Sequence, residues 1–235
     1  MTVSFPFPDT AAHPAVIDAV IFDCDGTLVD SEPLLLRVMV AEAVKLGMPP
    51  TMAADVAEFE GRSMASSLQL LESRFGRPFP PGFEALLRAE MATLFRAELR
   101  PIAGAVEMLA ALHVPFCVAS NGPRDKTELT LGLTGLLPLF AGRIHSAFEV
   151  GAFKPDPALF LHAAAAMGVA PERCAVVEDS VFGIRAGLAA GMHVYAYRDI
   201  ASLPTDLASR VLPLGRLTDL CAATWNRPRE TEGAG

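Results

Sequence analysis

Ala19-Val20-Ile21-Phe22-Asp23-Cys24-Asp25-Gly26-Thr27 sets a short apolar run against two carboxylates two residues apart, with a glycine directly behind them. Consecutive apolar residues rich in β-branched and aromatic side chains predict a buried strand, and Gly26 marks the turn that ends it. Side chains at i and i+2 of a strand share a face, so Asp23 and Asp25 are expected to project together beyond the strand's end. Desolvating two neighbouring carboxylates is costly unless a cation or a proton stands between them. The plainer alternative is a solvated Asx turn, which needs neither.

Working outward, short apolar runs alternate with helical patterns. Strands are predicted at 15–24, 114–120, 144–148, 174–177, 192–197 and 210–214, and helices at 104–112, 125–131, 157–167 and 182–190. That alternation calls for βαβ units and a parallel sheet covered on both faces. Residues 34–99 depart from it, with helical periodicity at 34–46, 52–59, 63–75 and 83–99, broken once by Gly76, Pro78, Pro80, Pro81 and Gly82. A helical block directly after the first strand is expected to be an inserted cap over the carboxyl edge of the sheet, where open α/β sheets bind ligands. The expected organisation is a loose leader at 1–14, a core at 15–33 and 100–225, the cap at 34–99 and a tail at 226–235. Segments 29–34 and 99–104 are expected to be the two hinge strands between core and cap. The spacing Gly183, Gly187, Gly191 is read as close helix–sheet packing rather than a membrane motif, given Arg185.

At 235 residues the chain holds one sizeable domain, or a domain with an insert. Its formal net charge is −8, and lysine occurs only at Lys45, Lys126 and Lys154, so nucleic-acid binding by a basic face is not expected. No apolar run reaches membrane-spanning length, and the beginning, Phe5-Pro6-Phe7-Pro8, lacks the pattern of a signal peptide. Cys24, Cys117, Cys174 and Cys221 show neither paired nor zinc-ligand spacing. The expectation is a cytoplasmic protein, monomeric, with no membrane or nucleic-acid partner. His13, His113, His145, His162 and His193 match no motif.

Three further polar clusters follow or border predicted strands: Ser120-Asn121-Gly122, Lys154-Pro155-Asp156-Pro157 and Glu178-Asp179-Ser180. All carboxyl ends of a parallel sheet lie on one edge, so Asp23, Asp25, Ser120, Lys154, Glu178 and Asp179 can converge. Carboxylates without His or Cys partners suit Mg²⁺, which would also relieve the repulsion among Asp23, Asp25 and Asp179. Such a set fits phosphoryl transfer. Lys154 and the metal offset the charge of the phosphate oxygens, while the Ser120 hydroxyl and N–H groups near Asn121 and Gly122 donate hydrogen bonds. One carboxylate can attack phosphorus, and a second can serve as acid and then base.

Asp23-Cys24-Asp25-Gly26-Thr27, Ser120-Asn121, Lys154 and Glu178-Asp179 resemble, in order and spacing, the four motifs of the haloacid dehalogenase superfamily. The resemblance covers essentially the whole core and implies a Rossmann-like α/β fold with an inserted α-helical cap. The insert is similar to the small cap of the branch that holds β-phosphoglucomutases and many sugar-phosphate phosphatases. It further implies that Asp23 is the nucleophile and a Mg²⁺ ligand, and that Asp25 is the acid/base, binding Mg²⁺ through its carbonyl. Ser120, Asn121 and Lys154 would hold phosphate, with Lys154 also catalytic. Asp179 would complete the metal site, supported by Glu178.

Within that family, Asp25 separates the chain from true dehalogenases, which lack the second aspartate. Residues 50–100 contain no lysine for phosphonatase chemistry. Glu32-Pro33-Leu34-Leu35-Leu36 lacks the histidine that β-phosphoglucomutases carry after the first motif. The expected activity is therefore Mg²⁺-dependent hydrolysis of a small phosphorylated metabolite through an aspartyl-phosphate. The segments beginning Phe22-Asp23, Ser120-Asn121-Gly122-Pro123 and Lys154-Pro155-Asp156-Pro157-Ala158-Leu159 resemble those of bacterial sugar-phosphate phosphatases, and that resemblance implies sugar phosphates, 6-phosphogluconate among them, as candidates. A β-phosphoglucomutase-type phosphotransferase is the alternative. A catalytically silent binding module is the remote one. Substrate choice is expected to lie in the cap, where Arg62 of Glu60-Gly61-Arg62-Ser63 can reach an oxyanion bidentately. Glu32, near the hinge, is a second candidate.

Overall fold

A computed structural model of the chain describes residues 16–49, 59, 62–198 and 200–222. The predicted leader, the C-terminal tail, most of the predicted helix 52–59, and Glu60 and Gly61 of the polar turn lie outside the described residues.

The element order begins β1 (Ala19–Phe22), α1 (Glu32–Lys45), α2 (Met64–Phe75), α3 (Phe83–Glu98), α4 (Ala105–Ala111), β2 (Phe116–Ser120) and α5 (Arg124–Leu133). It continues β3 (Ile144–Ser146), α6 (Ala147–Val150), α7 (Ala158–Met167), β4 (Cys174–Glu178), α8 (Val181–Ala189), β5 (His193–Ala196), α9 (Thr205–Ala208) and β6 (Leu212–Pro213). The strands form one parallel sheet in the order β3-β2-β1-β4-β5-β6. This is the doubly wound α/β arrangement, and its order reverses at β1, which lies between β2 and β4.

β1 is buried on both faces. Val20 and Phe22 join a core with Val118, Ala175 and Val177 that runs on into α1, α3 and α4, whereas Ala19 and Ile21 pack with Leu159, Phe160, Val176 and Ile184 on the other side. Alternate residues of one strand thus feed two separate cores, which is why the run is continuously apolar. At Gly187 an added Cβ would come within 2.8 Å of Val194, so this glycine does mark close helix–sheet packing.

Local chemistry explains where elements stop. The predicted strand 144–148 ends at Ser146, because the Phe148 N–H donates to the Ser146 Oγ (3.2 Å) and starts α6 instead. α2 opens with Ser63 Oγ accepting the Ser66 N–H at 3.2 Å and closes at Gly76. Pro213, which has no N–H to donate, sits in the two-residue edge strand β6.

The segments that lead into and out of the helical block run side by side. The Asp30 N–H donates to the Arg100 carbonyl (3.0 Å) and the Ile102 N–H to the Leu28 carbonyl (2.9 Å). The first connector is shorter than the predicted 29–34, because Glu32 and Pro33 already begin α1, where proline is tolerated in the first turn. No helix among the described residues is long and apolar enough to cross a membrane.

Candidate active site

The carboxyl ends of β1, β2 and β4 adjoin in the sheet, so the polar residues that follow them meet above one edge. Phe22 is in register with Val118 on one side and Val177 on the other, and the Asp23 N–H donates to the Val177 carbonyl at 3.0 Å. Asp23 therefore emerges between Ser120 and Glu178. The Lys154 ammonium reaches both carboxylates, in an ion pair with Asp23 Oδ1 and at 2.7 Å from Glu178 Oε1. The other oxygen of Glu178 accepts the Ser180 N–H and hydroxyl, each at 2.9 Å. Lys154 and Glu178 are almost wholly buried, so each satisfies a charge that would otherwise be stranded.

Gly183, in the first turn of α8, makes this possible, since a Cβ there would overlap the Glu178 carboxylate. Gly26 plays the same part for Asp179. It has φ +79°, and a Cβ there would overlap the Asp179 side chain, whose Oδ1 accepts the Thr27 hydroxyl at 2.8 Å. Gly26→Ala combines left-handed strain with that overlap. It is expected to destabilise the fold by roughly 1–3 kcal/mol and to displace Asp179. Denaturant unfolding with and without Mg²⁺ checks this, and a variant matching wild type in both conditions would contradict it.

Carboxylate oxygens of Asp23, Glu178 and Asp179 lie within 4.8 Å of one another; Asp23 and Glu178 are buried and Asp179 is half-buried. Burial, with Glu178 and Asp25 nearby, pushes the Asp23 carboxyl up to about 8 even against Lys154. Burial together with Glu178, Glu32 and Asp23 likewise holds Asp179 well above the usual carboxylate range. Two carboxyls that resist ionisation in this way, Asp23 and Asp179, have the character of a cation site, and hard oxygen donors at this separation fit Mg²⁺.

Asp25 does not join that cluster. Its carboxylate is ion-paired with Lys126 of α5 and accepts the Ser31 hydroxyl. Burial works against its charge, but Lys126 and Ser31 outweigh it and hold the carboxyl below its ordinary value. Lys126 thus offsets the Asp25 charge from one side, while Asp25 still opposes the ionisation of Asp23. The two aspartates diverge as the chain turns at Gly26, one toward the acidic cluster and one toward α5. Cys24, between them, faces the core with Sγ 3.8 Å from the Thr130 Oγ1, and burial pushes its thiol far up, leaving it unreactive.

Ser120 and Asn121 occupy the end of β2. Ser120 Oγ accepts the Gly122 N–H at 2.9 Å, which leaves its own proton to donate but commits that backbone N–H. Asn121 Oδ1 accepts the Lys154 N–H at 2.8 Å, and its Nδ2 donates to the Lys154 carbonyl at 3.4 Å. Its side chain thus clamps the backbone of Lys154, a positioning contact that the expected phosphate-binding role did not include.

These groups line a cavity of about 100 Å³ closed from the other side by the helical block, with Glu32, Arg62, Ser63, Arg88 and Met91 on its wall. The Arg62 guanidinium sits 5.4 Å from the ring centroid of Phe182 in α8, bridging the helical block and the core. Glu32 lies close enough to Asp179 to oppose its ionisation. Sequence reasoning missed Lys126, Ser31, Thr27 and Arg88. For Lys126 a signal existed: two of the chain's three lysines enter one site in an acidic protein.

A family model for haloacid dehalogenase-like hydrolases matches residues 17–191. The chain is 38% identical over 182 residues to the 6-phosphogluconate phosphatase of Escherichia coli K12, covering 77% of this chain and 82% of that protein. It is 32% identical over 196 residues to hexitol phosphatase A of the same organism, covering 78% and 84%. Among solved structures, a HAD family hydrolase of Deinococcus radiodurans R1 with bound phosphate and sodium superposes with a TM-score of 0.68 at 32% identity, covering 88% of this chain and 94% of that one.

Proposed function

This chain belongs to the haloacid dehalogenase-like hydrolases and is a phosphoric monoester hydrolase, and on that premise we propose that it hydrolyses a small sugar phosphate, with 6-phosphogluconate the leading candidate, through a phosphoryl group carried on Asp23. The observation that carries the proposal is the separation of the two aspartates: Asp23 borders the acidic cluster and Lys154, while Asp25 is held apart by Lys126 and Ser31. The substrate choice follows the resemblance to phosphatases of phosphorylated sugars and sugar derivatives.

Asp23 and Asp179, with Asp25 through its carbonyl and Glu178 in support, would hold a Mg²⁺ ion. When bound, that ion supplies positive charge to the phosphate oxygens and keeps both carboxylates ionised. Lys154 places a second positive charge beside Asp23, where the phosphoryl group arrives. The Ser120 hydroxyl, oriented by the Gly122 N–H, donates to a phosphate oxygen. Asp23 attacks phosphorus and becomes the aspartyl-phosphate. Asp25, held ionised by Lys126 and Ser31 in the free site, must first take up a proton, which the adjoining Lys126 ammonium can supply, before it gives one to the departing alkoxide. As the carboxylate it then takes one from the water that cleaves the intermediate.

Residues 32–98 are, in this reading, a cap that closes over the sheet edge, with the paired connectors near Leu28–Asp30 and Arg100–Ile102 as its hinge. Closure would exclude bulk water while the phosphoenzyme forms. The buried free thiols of Cys24, Cys117 and Cys174 suit a reducing cytoplasm.

Phosphate release measured across a panel of sugar phosphates tests the reading, with activity expected in Mg²⁺, lost in EDTA and restored by added Mg²⁺. Asp179→Asn should raise the Mg²⁺ concentration for half-maximal activity about tenfold or more. Full activity in EDTA, or an unshifted Mg²⁺ requirement in the variant, would count against the metal site.

A further inference from the structure

The inner cavity is smaller than a sugar phosphate needs. Its volume, about 100 Å³, falls below the roughly 300–1,000 Å³ of sites that enclose small-molecule ligands. A second cavity of about 460 Å³ adjoins it between α3 and α5, and the two share Arg88, Met91, Phe95, Pro123, Lys126 and Phe148 as walls. Among the described residues, a phosphate seated beside Asp23 has a roomy direction for the rest of the molecule past Lys126 and Arg88.

The polar groups along that route are unequal. Asp125 is tied to its own helix, accepting the Lys126 N–H at 2.8 Å. Glu84 accepts from Arg88 Nε and Nη2 at 3.0 and 2.6 Å, both on one oxygen. Two of the five guanidinium N–H donors are used in this way, and the Lys126 ammonium has three, one of them directed at Asp25. Apolar Met91, Phe95 and Phe148 surround both cations, and Lys126 lies 5.9 Å from the centroid of the Phe95 ring. Two cations in an apolar corridor, each with donors to spare, form a place for an anion.

We propose that Lys126 and Arg88 form a subsite for a second anionic group on the substrate, at the junction of the two cavities, so that the preferred substrates are phosphate monoesters bearing a carboxylate, as phosphorylated sugar acids do. This rests on the phosphatase reading above and assigns its specificity. The phosphate itself is served by Lys154, Ser120 and the metal site, whereas Lys126 and Arg88 line the path that the leaving group must take. Lys126 also touches Asp25, so the same ammonium would join recognition of the leaving group to the residue that protonates it.

The test is the ratio of kcat/KM for 6-phosphogluconate to that for glucitol 6-phosphate, which differ at the far carbon by a carboxylate against a hydroxymethyl group. Wild type should favour the acid by about tenfold or more, the range of one charge-assisted contact. In Arg88→Gln and Lys126→Gln the ratio should fall to within about threefold of unity, in Arg88→Gln chiefly through KM for the acid, and in Lys126→Gln with a drop in kcat for both esters as well, because Lys126 also holds Asp25. Arg88→Lys, which keeps the charge, should retain part of the preference. Arg88 is half-buried on a helix surface, so its variants are expected to fold even if Lys126→Gln does not. An unchanged ratio in the Arg88 and Lys126 variants, or a wild type that favours the alcohol, would overturn the subsite and leave the phosphatase reading standing. Release of phosphate from neither ester while other sugar phosphates are hydrolysed would overturn the subsite alone, and release from no sugar phosphate of the panel would overturn both.

Discussion

Asp23→Asn is expected to lower phosphate release by on the order of 10⁴-fold or more, the scale on which removing a covalent nucleophile acts. The substitution is close to isosteric, and Lys154 keeps Glu178 as a partner at 2.7 Å, so the fold should persist. Removing a carboxylate whose ionisation is already opposed by burial should leave the metal-free protein no less stable than wild type. Two measurements together decide it: turnover with Mg²⁺, and the melting temperature in EDTA. Unimpaired turnover would remove Asp23 from the chemistry. Loss of turnover together with a collapsed melting temperature would show a structural role in place of the chemical one.

Lys154→Met is expected to remove both activity and a large part of the stability. The ammonium lies between Asp23 and Glu178 with almost no exposure, and its loss leaves two buried carboxylates face to face. Removing one partner from a buried charge pair costs about 3–5 kcal/mol, which for a chain of this size lowers the melting temperature by on the order of 10 °C. Adding Glu178→Gln should recover part of that loss, because it removes a buried carboxylate that has lost its ammonium partner. A double-mutant cycle measures the coupling directly. A cycle without coupling, or a Lys154→Met protein that melts with wild type, would contradict the arrangement. The double variant should recover stability without activity, which separates the two roles of this lysine.

Much of the fold was legible because each face of the sheet has its own apolar demand. The run Ala19–Phe22 feeds two cores at once and so reads as continuous hydrophobicity, and Cys174–Val177 reads the same way. Ends were less legible. Ile144–Ser146 was expected to run on through Phe148, but a single serine hydroxyl turns the chain into a helix there. The first connector was expected to extend to residue 34, although Glu32 and Pro33 are good first-turn residues and already belong to α1.

The candidate site divided along a similar line. Asp23, Ser120, Glu178 and Asp179 were legible because strand ends in a parallel sheet must share an edge, and Lys154 because its motif keeps order with theirs. Lys126 was not. It sits on a helix with no strand end to announce it, and its approach to Asp25 depends on how α5 packs against β3 and α3 so as to meet the turn that follows β1. Arg88 was still further from view, since its place depends on α3 of the helical block meeting α5 of the core.

What the sequence determined by itself was therefore local and periodic: strands with two apolar faces, the turn at Gly26, and the order in which polar residues leave the sheet. Those features depend on the chain's immediate neighbours and on a repeat of two or 3.6 residues, both of which can be read in one dimension. Only the tertiary structure decided that Asp23 and Asp25, two residues apart, have different partners. It also decided that Asn121 clamps Lys154 and that Lys126 and Arg88 share a wall. Each of these depends on side chains brought together by packing between elements far apart in the chain, and spacing along the backbone does not encode that distance.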